Sequence, residues 1–121
     1  MSRIPSFKDL DVWRKAMVLM NHSYDLTATY PSDERLGLAS ETRKSARSIP
    51  SNIAEGKLRL TGKDFRRHVS IALGSLGELQ TQLLIAGDRK FLSREAVDAV
   101  EKEIEELGRM LRGLERALAI A

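Results

Sequence analysis

Eight basic side chains fall between residues 43 and 67: Arg43, Lys44, Arg47, Lys57, Arg59, Lys63, Arg66 and Arg67. Two acids, Glu55 and Asp64, share the stretch, which leaves it at +6 in a chain whose net charge is +3. The chemistry this points to is phosphate binding. Each cation that neutralises a phosphate releases a condensed counterion, so affinity depends steeply on salt. Arg43 and Arg47 are four apart and share one helical face with Lys44 beside them. Exposed aromatics for base stacking are lacking, as are helix-turn-helix and RNA-recognition signatures, so the expected contact is with the backbone and does not read sequence. The plain alternative is a solvated charged face. From Glu95 to Glu106 the sign reverses, with six acids against Lys102. A basic and an acidic face on one small molecule equally permit self-assembly.

Other chemistry finds little footing. The chain has no cysteine, which excludes disulfides, thiolate-bound zinc, iron–sulfur clusters and thiol catalysis. It has no P-loop, no dinucleotide fingerprint and no His-Glu-x-x-His pair. Gly74-Ser75-Leu76-Gly77 lacks the spacing of a nucleophile elbow and falls inside a helical pattern. His22 and His68 belong to different segments, and the Glu-x-x-His pairs of a di-metal bundle do not occur. Glu78 reads as a helix–helix anchor and Glu55 as the partner of a nearby arginine. The expectation is a protein without enzymatic activity, metal or cofactor.

These side chains must be carried by helices. At 121 residues, 42% hydrophobic, 31% charged and 5% aromatic, the chain fits one all-α domain, residues 1–121. Val97, Val100, Ile104, Leu107, Leu111, Leu114 and Leu118 recur at spacings of 3 and 4, which only a helix places on one stripe. Phe65, Val69, Ala72, Leu76, Leu79, Leu83 and Ala86 repeat the pattern, and Ala39, Thr42, Ala46, Ile49 and Ile53 form a weaker one. The first segment has two stripes: Trp13, Met17, Met20 and Tyr24 beside Val12, Ala16, Leu19 and Leu26. Ser6, Ser32, Thr61 and Ser93 read as helix starts. Tyr30-Pro31 and Gly87-Asp88 read as stops. Four helices of roughly 20 to 27 residues with short connections predict an antiparallel up-down-up-down four-helix bundle. The second helix should run on through Pro50 with a kink, because Ile49 and Ile53 stay in phase across it. No apolar run approaches the roughly 18 residues of a membrane span, and no signal-peptide core opens the chain. A cytoplasmic protein is expected, with the Asn21-His22-Ser23 sequon idle.

Two features exceed a minimal bundle. The apolar face of the first helix is wider than one partner needs. The third carries Ser70, Gly74, Gly77 and Thr81 in one stripe, although glycine inside a helix costs about 1 kcal/mol relative to alanine. Trp13, Gly74 and Gly77 are therefore candidates for an interface between subunits; tight packing inside one subunit is the alternative.

The block Leu38 … Arg43-Lys44 … Ser48-Ile49-Pro50-Ser51-Asn52-Ile53-Ala54-Glu55-Gly56 resembles the signature of the four-helix-bundle proteins encoded in bacterial 23S rRNA intervening sequences. Phe7-x-x-Leu10-x-Val12-Trp13-x-Lys15-Ala16 is similar to their opening, and Ala72-x-Gly74-Ser75-Leu76-x-Glu78-Leu79 to their third helix. Glu41, Thr42 and Ser45 depart from the usual glutamine, aliphatic residue and alanine. The resemblance implies an all-helical bundle that assembles as a homopentameric ring. It also implies a likeness to the accessory variability determinant proteins of diversity-generating retroelements, which bind nucleic acid through a basic surface and engage a reverse transcriptase. No catalytic residue carries over. Two readings follow: a homo-oligomeric accessory protein that binds RNA or DNA, with a reverse transcriptase or ribonucleoprotein as a further partner, or a structural module that self-assembles without nucleic acid.

Overall fold

A computed structural model describes residues 6–120. Among them run four α-helices: α1, Asp11–Thr27; α2, Leu38–Lys57; α3, Gly62–Asp88; and α4, Arg94–Ala119. Each helix packs on the next and α4 closes back on α1, while the diagonal pairs make no backbone approach. Cross-helix contacts fix the directions. Tyr24 and Thr27 of α1 meet Arg47 and Arg43 of α2. Ser48 and Asn52 of α2 meet Ser75 and His68 of α3. Lys15 and His22 of α1 meet Glu106 and Glu103 of α4. In every pair one number rises as the other falls, so the bundle is antiparallel throughout.

The stripes of α2, α3 and α4 are the core. Ala39, Thr42, Ala46, Ile49 and Ile53 are buried, as are Val69, Ala72, Leu76, Leu79, Leu83 and Ala86, and Val100, Ile104, Leu107 and Leu111. On α1 the structure chooses between two stripes. Val12, Ala16 and Leu19 enter the core with Ser23 and Thr27, while Trp13, Met17, Met20 and Tyr24 stay half-buried. Ser23 and Thr42 are buried without cost because their hydroxyls donate to the Leu19 and Leu38 carbonyls one turn back. Thr42, a departure from the aliphatic residue of the resembled signature, thus keeps its polar atom satisfied.

Helix ends differ from expectation at two points. Ser6 caps a short 3-10 turn, Phe7–Asp9, in a reciprocal box with Asp9, and extended Leu10 then separates that turn from α1. At 17 residues α1 is shorter than the expected range. Ser32 likewise opens only a 3-10 turn, Ser32–Glu34, and α2 starts at Leu38 with the Glu34 carboxylate accepting the Leu38 N–H at 3.1 Å. Thr61 and Ser93 do cap α3 and α4, by accepting the N–H groups of Asp64 and Ala96. α2 continues through Pro50, which is itself buried. The α3–α4 turn is made by Lys90, whose φ of 64° is the positive value a helix stop often assigns to glycine. α3 reaches a mean hydropathy of 1.2 over 18 residues. Its most apolar face nevertheless packs on α2 and α4, and its first turns carry Lys63, Asp64, Arg66 and Arg67.

Leu107 is fully buried, so Leu107→Ala should lower unfolding free energy by about 2 to 5 kcal/mol in chemical denaturation. Tyr30 is buried against Phe91, with ring centroids 5.6 Å apart. Burial pushes its phenol from 10.0 up to about 12. The folded state therefore holds this proton more tightly than the unfolded chain does. Its contribution is intact below pH 10 and is lost as pH rises from 10 to 12. Measured against Tyr30→Phe, which cannot ionise, the wild-type protein should lose roughly 1 kcal/mol of relative stability by pH 11.

Candidate functional site

The basic residues do not form one patch. Arg43 and Lys57 are separated along α2 by roughly 21 Å at 1.5 Å per residue, and the antiparallel order sends the two groups to opposite ends of the bundle. At one end, Arg43 donates from Nε to Thr27 Oγ1 at 2.8 Å, and its Cζ lies 4.9 Å above the Tyr24 ring. Arg47 donates to the Tyr24 hydroxyl at 2.9 Å. Both side chains are thus held by neutral groups on α1, which fixes their direction without cancelling their charge. Lys44 faces the other way, toward the α2–α3 groove it lines with Glu41, Ser48, Ser75 and Glu78.

Lys57, Arg59, Lys63, Arg66 and Arg67 gather at the far end, where α2 passes into α3. Arg59 is tied to Glu55 at 2.7 Å, one helical turn back, with both groups about half exposed, and such pairs contribute little. The others make no ion pair among the described residues. Lys63, Arg66 and Arg67 line a groove of about 450 Å³ together with Asp64, Ser70 and Glu115. Glu115 is flanked on α4 by Arg112 and Arg116, both exposed. Sequence reasoning passed over these two because they lie some fifty residues from the cluster. The signal was present, since an antiparallel bundle must bring the end of its fourth helix beside the start of its third.

His22, His68 and Glu55 have structural roles. His22 Nδ1 sits 2.8 Å from Glu103 across the α1–α4 seam. His68 is buried, with Nδ1 3.1 Å from Asn52 Oδ1 and Nε2 without a partner among the described residues. Glu55 pairs with Arg59 as expected. Glu78 does not act as an anchor: it is exposed and makes no hydrogen bond or ion pair among the described residues. No cluster of three or more metal-ligating side chains occurs among the described residues.

The proposed subunit-interface residues lie on two different faces. Gly74 and Gly77 are exposed on the side of α3 away from the core, and a Cβ built on either would meet nothing within 4 Å. Tight packing inside the subunit therefore does not explain them. Ile71, Leu84 and Ile85, each more than 40% exposed, flank the same stripe. Trp13 belongs to an apolar groove of about 460 Å³ between α1 and α2, lined also by Met17, Met20, Tyr24 and Pro50.

Two comparisons bear on this architecture. The family model for the 23S rRNA-intervening sequence protein matches residues 8–113. A crystal structure of a protein with unknown function from the S23 ribosomal protein family of Bacteroides thetaiotaomicron is similar in fold. Its TM-score is 0.79 at 20% identity, over 86% of this chain and 97% of that one. No curated protein matches the chain.

Proposed function

The chain belongs to the 23S rRNA-intervening sequence protein family, and from that premise we propose that it is a homo-oligomeric, non-catalytic accessory protein that grips the phosphate backbone of RNA or DNA. The observation that carries this reading is the electrostatic state of the basic side chains. Of the eight between residues 43 and 67, Arg59 alone has a carboxylate partner among the described residues. Arg43 and Arg47 are braced by Thr27 and Tyr24 instead. Lysines and arginines that serve only as structural ion pairs would be spent on carboxylates. Arg43 and Arg47 keep their charge and gain a fixed direction, which lowers the entropy lost on docking a phosphate. Without a stacking platform or a reading element, contact is with the backbone.

Assembly is part of the same proposal. The α3 stripe and the α1–α2 groove are different surfaces, so a contact between them is head-to-tail, and such contacts generate a ring when the rotation between copies closes and a filament when it does not. The five-fold count rests on the family resemblance. A ring would also repeat each basic end around an axis, multiplying weak phosphate contacts.

Replacing Lys63, Arg66 and Arg67 together by glutamine should weaken binding to a single-stranded RNA without unfolding the bundle. It should also flatten the dependence of log affinity on log salt by roughly 2 to 3. An unchanged slope would remove these residues from the interface. For assembly, the prediction concerns Gly74→Ala with Gly77→Ala. Helix propensity should stabilise the isolated subunit by up to about 1 kcal/mol per site, while light scattering shows the oligomer dissociating at higher protein concentration than wild type. A more stable subunit with unaltered assembly would exclude the α3 stripe as the contact face.

A further inference from the structure

A pocket of about 360 Å³ opens where the end of α1 turns into the start of α2, lined by Thr27, Tyr30, Pro31, Ser32, Arg35 and Arg43 among others. We propose that it binds a terminal phosphomonoester of nucleotide size, with the phosphate held between the Arg35 and Arg43 guanidinium groups. Nothing in the backbone-binding reading requires such a site, and the two share Arg43 alone.

The wall of the pocket contains two guanidinium groups, three side-chain hydroxyls and no carboxylate. The neighbouring carboxylates Asp33 and Glu34 are not part of the wall, and Glu34 turns its Oε1 to the Leu38 N–H at 3.1 Å, beside Gly37. Arg43 is already oriented, because Thr27 takes its Nε–H and Tyr24 supports its plane. That leaves its terminal nitrogens as a fork suited to two phosphate oxygens. Arg35 is exposed and has no ion pair among the described residues. Tyr30 shares the wall, and its hydroxyl is buried with no partner among the described residues.

Charge and size select the ligand class. A backbone phosphodiester carries one negative charge, whereas a phosphomonoester carries about −1.5 to −2 at neutral pH, which matches two arginines. The volume sits at the small end of the roughly 300 to 1,000 Å³ typical of small-molecule sites. That is far more than a bare phosphate fills. The side chains of Tyr30 and Pro31 offer apolar surface for the rest of the ligand. A free mononucleotide and the 5′-phosphate of a strand present the same chemistry.

The test titrates the intact protein with adenosine 5′-monophosphate and with adenosine, following affinity by calorimetry and location by NMR amide shifts. The nucleotide should bind about ten-fold or more tightly than the nucleoside, with shifts centred on residues 27–43. Arg35→Gln should reduce that affinity about ten-fold or more while leaving the melting temperature unchanged. The Lys63, Arg66 and Arg67 triple variant should bind the nucleotide as wild type does. A 5′-phosphorylated RNA oligonucleotide that outcompetes its 5′-hydroxyl counterpart, with the same sensitivity to Arg35→Gln, identifies the strand end as the source. Equal binding of the two oligonucleotides, alongside tight nucleotide binding, identifies the free nucleotide. Equal or absent binding of nucleotide and nucleoside, or an affinity indifferent to Arg35→Gln, overturns the proposal. Backbone binding is tested at the opposite end of the bundle, so either reading can fail alone.

Discussion

The seam between α2 and α3 is the constraint on which the bundle depends. At its lower end the helices come so close that a Cβ on Gly56 would lie 2.7 Å from His68 Cβ and 2.9 Å from the Phe65 ring. Above that contact runs a hydrogen-bonded line: Asn52 to His68 at 3.1 Å, Asn52 to Ser48 Oγ at 3.1 Å, and Ser48 to Ser75 at 2.7 Å. Buried polar groups are costly when mispaired. A slip of one helical turn would break the two bonds that cross the seam, Asn52–His68 and Ser48–Ser75, and drive Gly56 away from His68 and Phe65. The block from Ser48 to Gly56 is therefore a register device. Ser48 and Asn52 supply the polar pairing, Ile49 and Ile53 the core, and Gly56 the close approach.

Fixing α2 against α3 also decides what α2 shows the rest of the molecule. With Ile49 and Ile53 committed inward, Arg43 and Arg47 fall on the side of α1, where Thr27 and Tyr24 hold them, and Lys44 falls on the side of α3. The α1–α4 seam, the least extensively packed, is bridged instead by Lys15–Glu106 and His22–Glu103. The acidic stretch of α4 is thus partly consumed within the subunit. That shifts the balance between the two roles a bipolar charge pattern allowed: some of the acids available for pairing between copies are occupied, while the cations of α3's first turns make no ion pair among the described residues.

Much of this was legible in the sequence, because period is a geometric signal. Spacings of 3 and 4 identified four helices and placed the buried Ala, Val, Leu and Ile side chains of α2, α3 and α4, but not Ser45, Pro50, Gly56, His68, Ser75 or Gly108, which are buried beside them. On α1 two stripes fitted equally well, and periodicity alone has no means to choose: the choice was made by which face α2 and α4 cover. The turns were misjudged for a related reason. Ser6 and Ser32 have the right side chains to cap a helix, but extended Leu10 and the 3-10 turn over Ser32–Glu34 are set by how the chain must re-enter the bundle. A run of basic residues along the chain need not be one surface. Composition along a chain does not register that 14 residues of helix separate Arg43 from Lys57, or that Glu115, between Arg112 and Arg116 on α4, returns to line a groove with Lys63.

The glycines sharpen the case for assembly. Gly56 and the pair Gly74 and Gly77 are all helical, and each carries the same propensity cost of about 1 kcal/mol. At Gly56 the reason is visible, since no larger residue fits against His68 and Phe65. At Gly74 and Gly77 the subunit offers no reason, because the space beside them is empty to 4 Å. Exposed alanine at both sites would stabilise an isolated bundle. A helix that keeps glycine there, bordered by Ile71, Leu84 and Ile85, is therefore poorly suited to an isolated bundle and well suited to a close approach by another backbone. The proposed assembly would give these two glycines the steric reason that Gly56 has inside the subunit, with a second copy in the place of α3's neighbours.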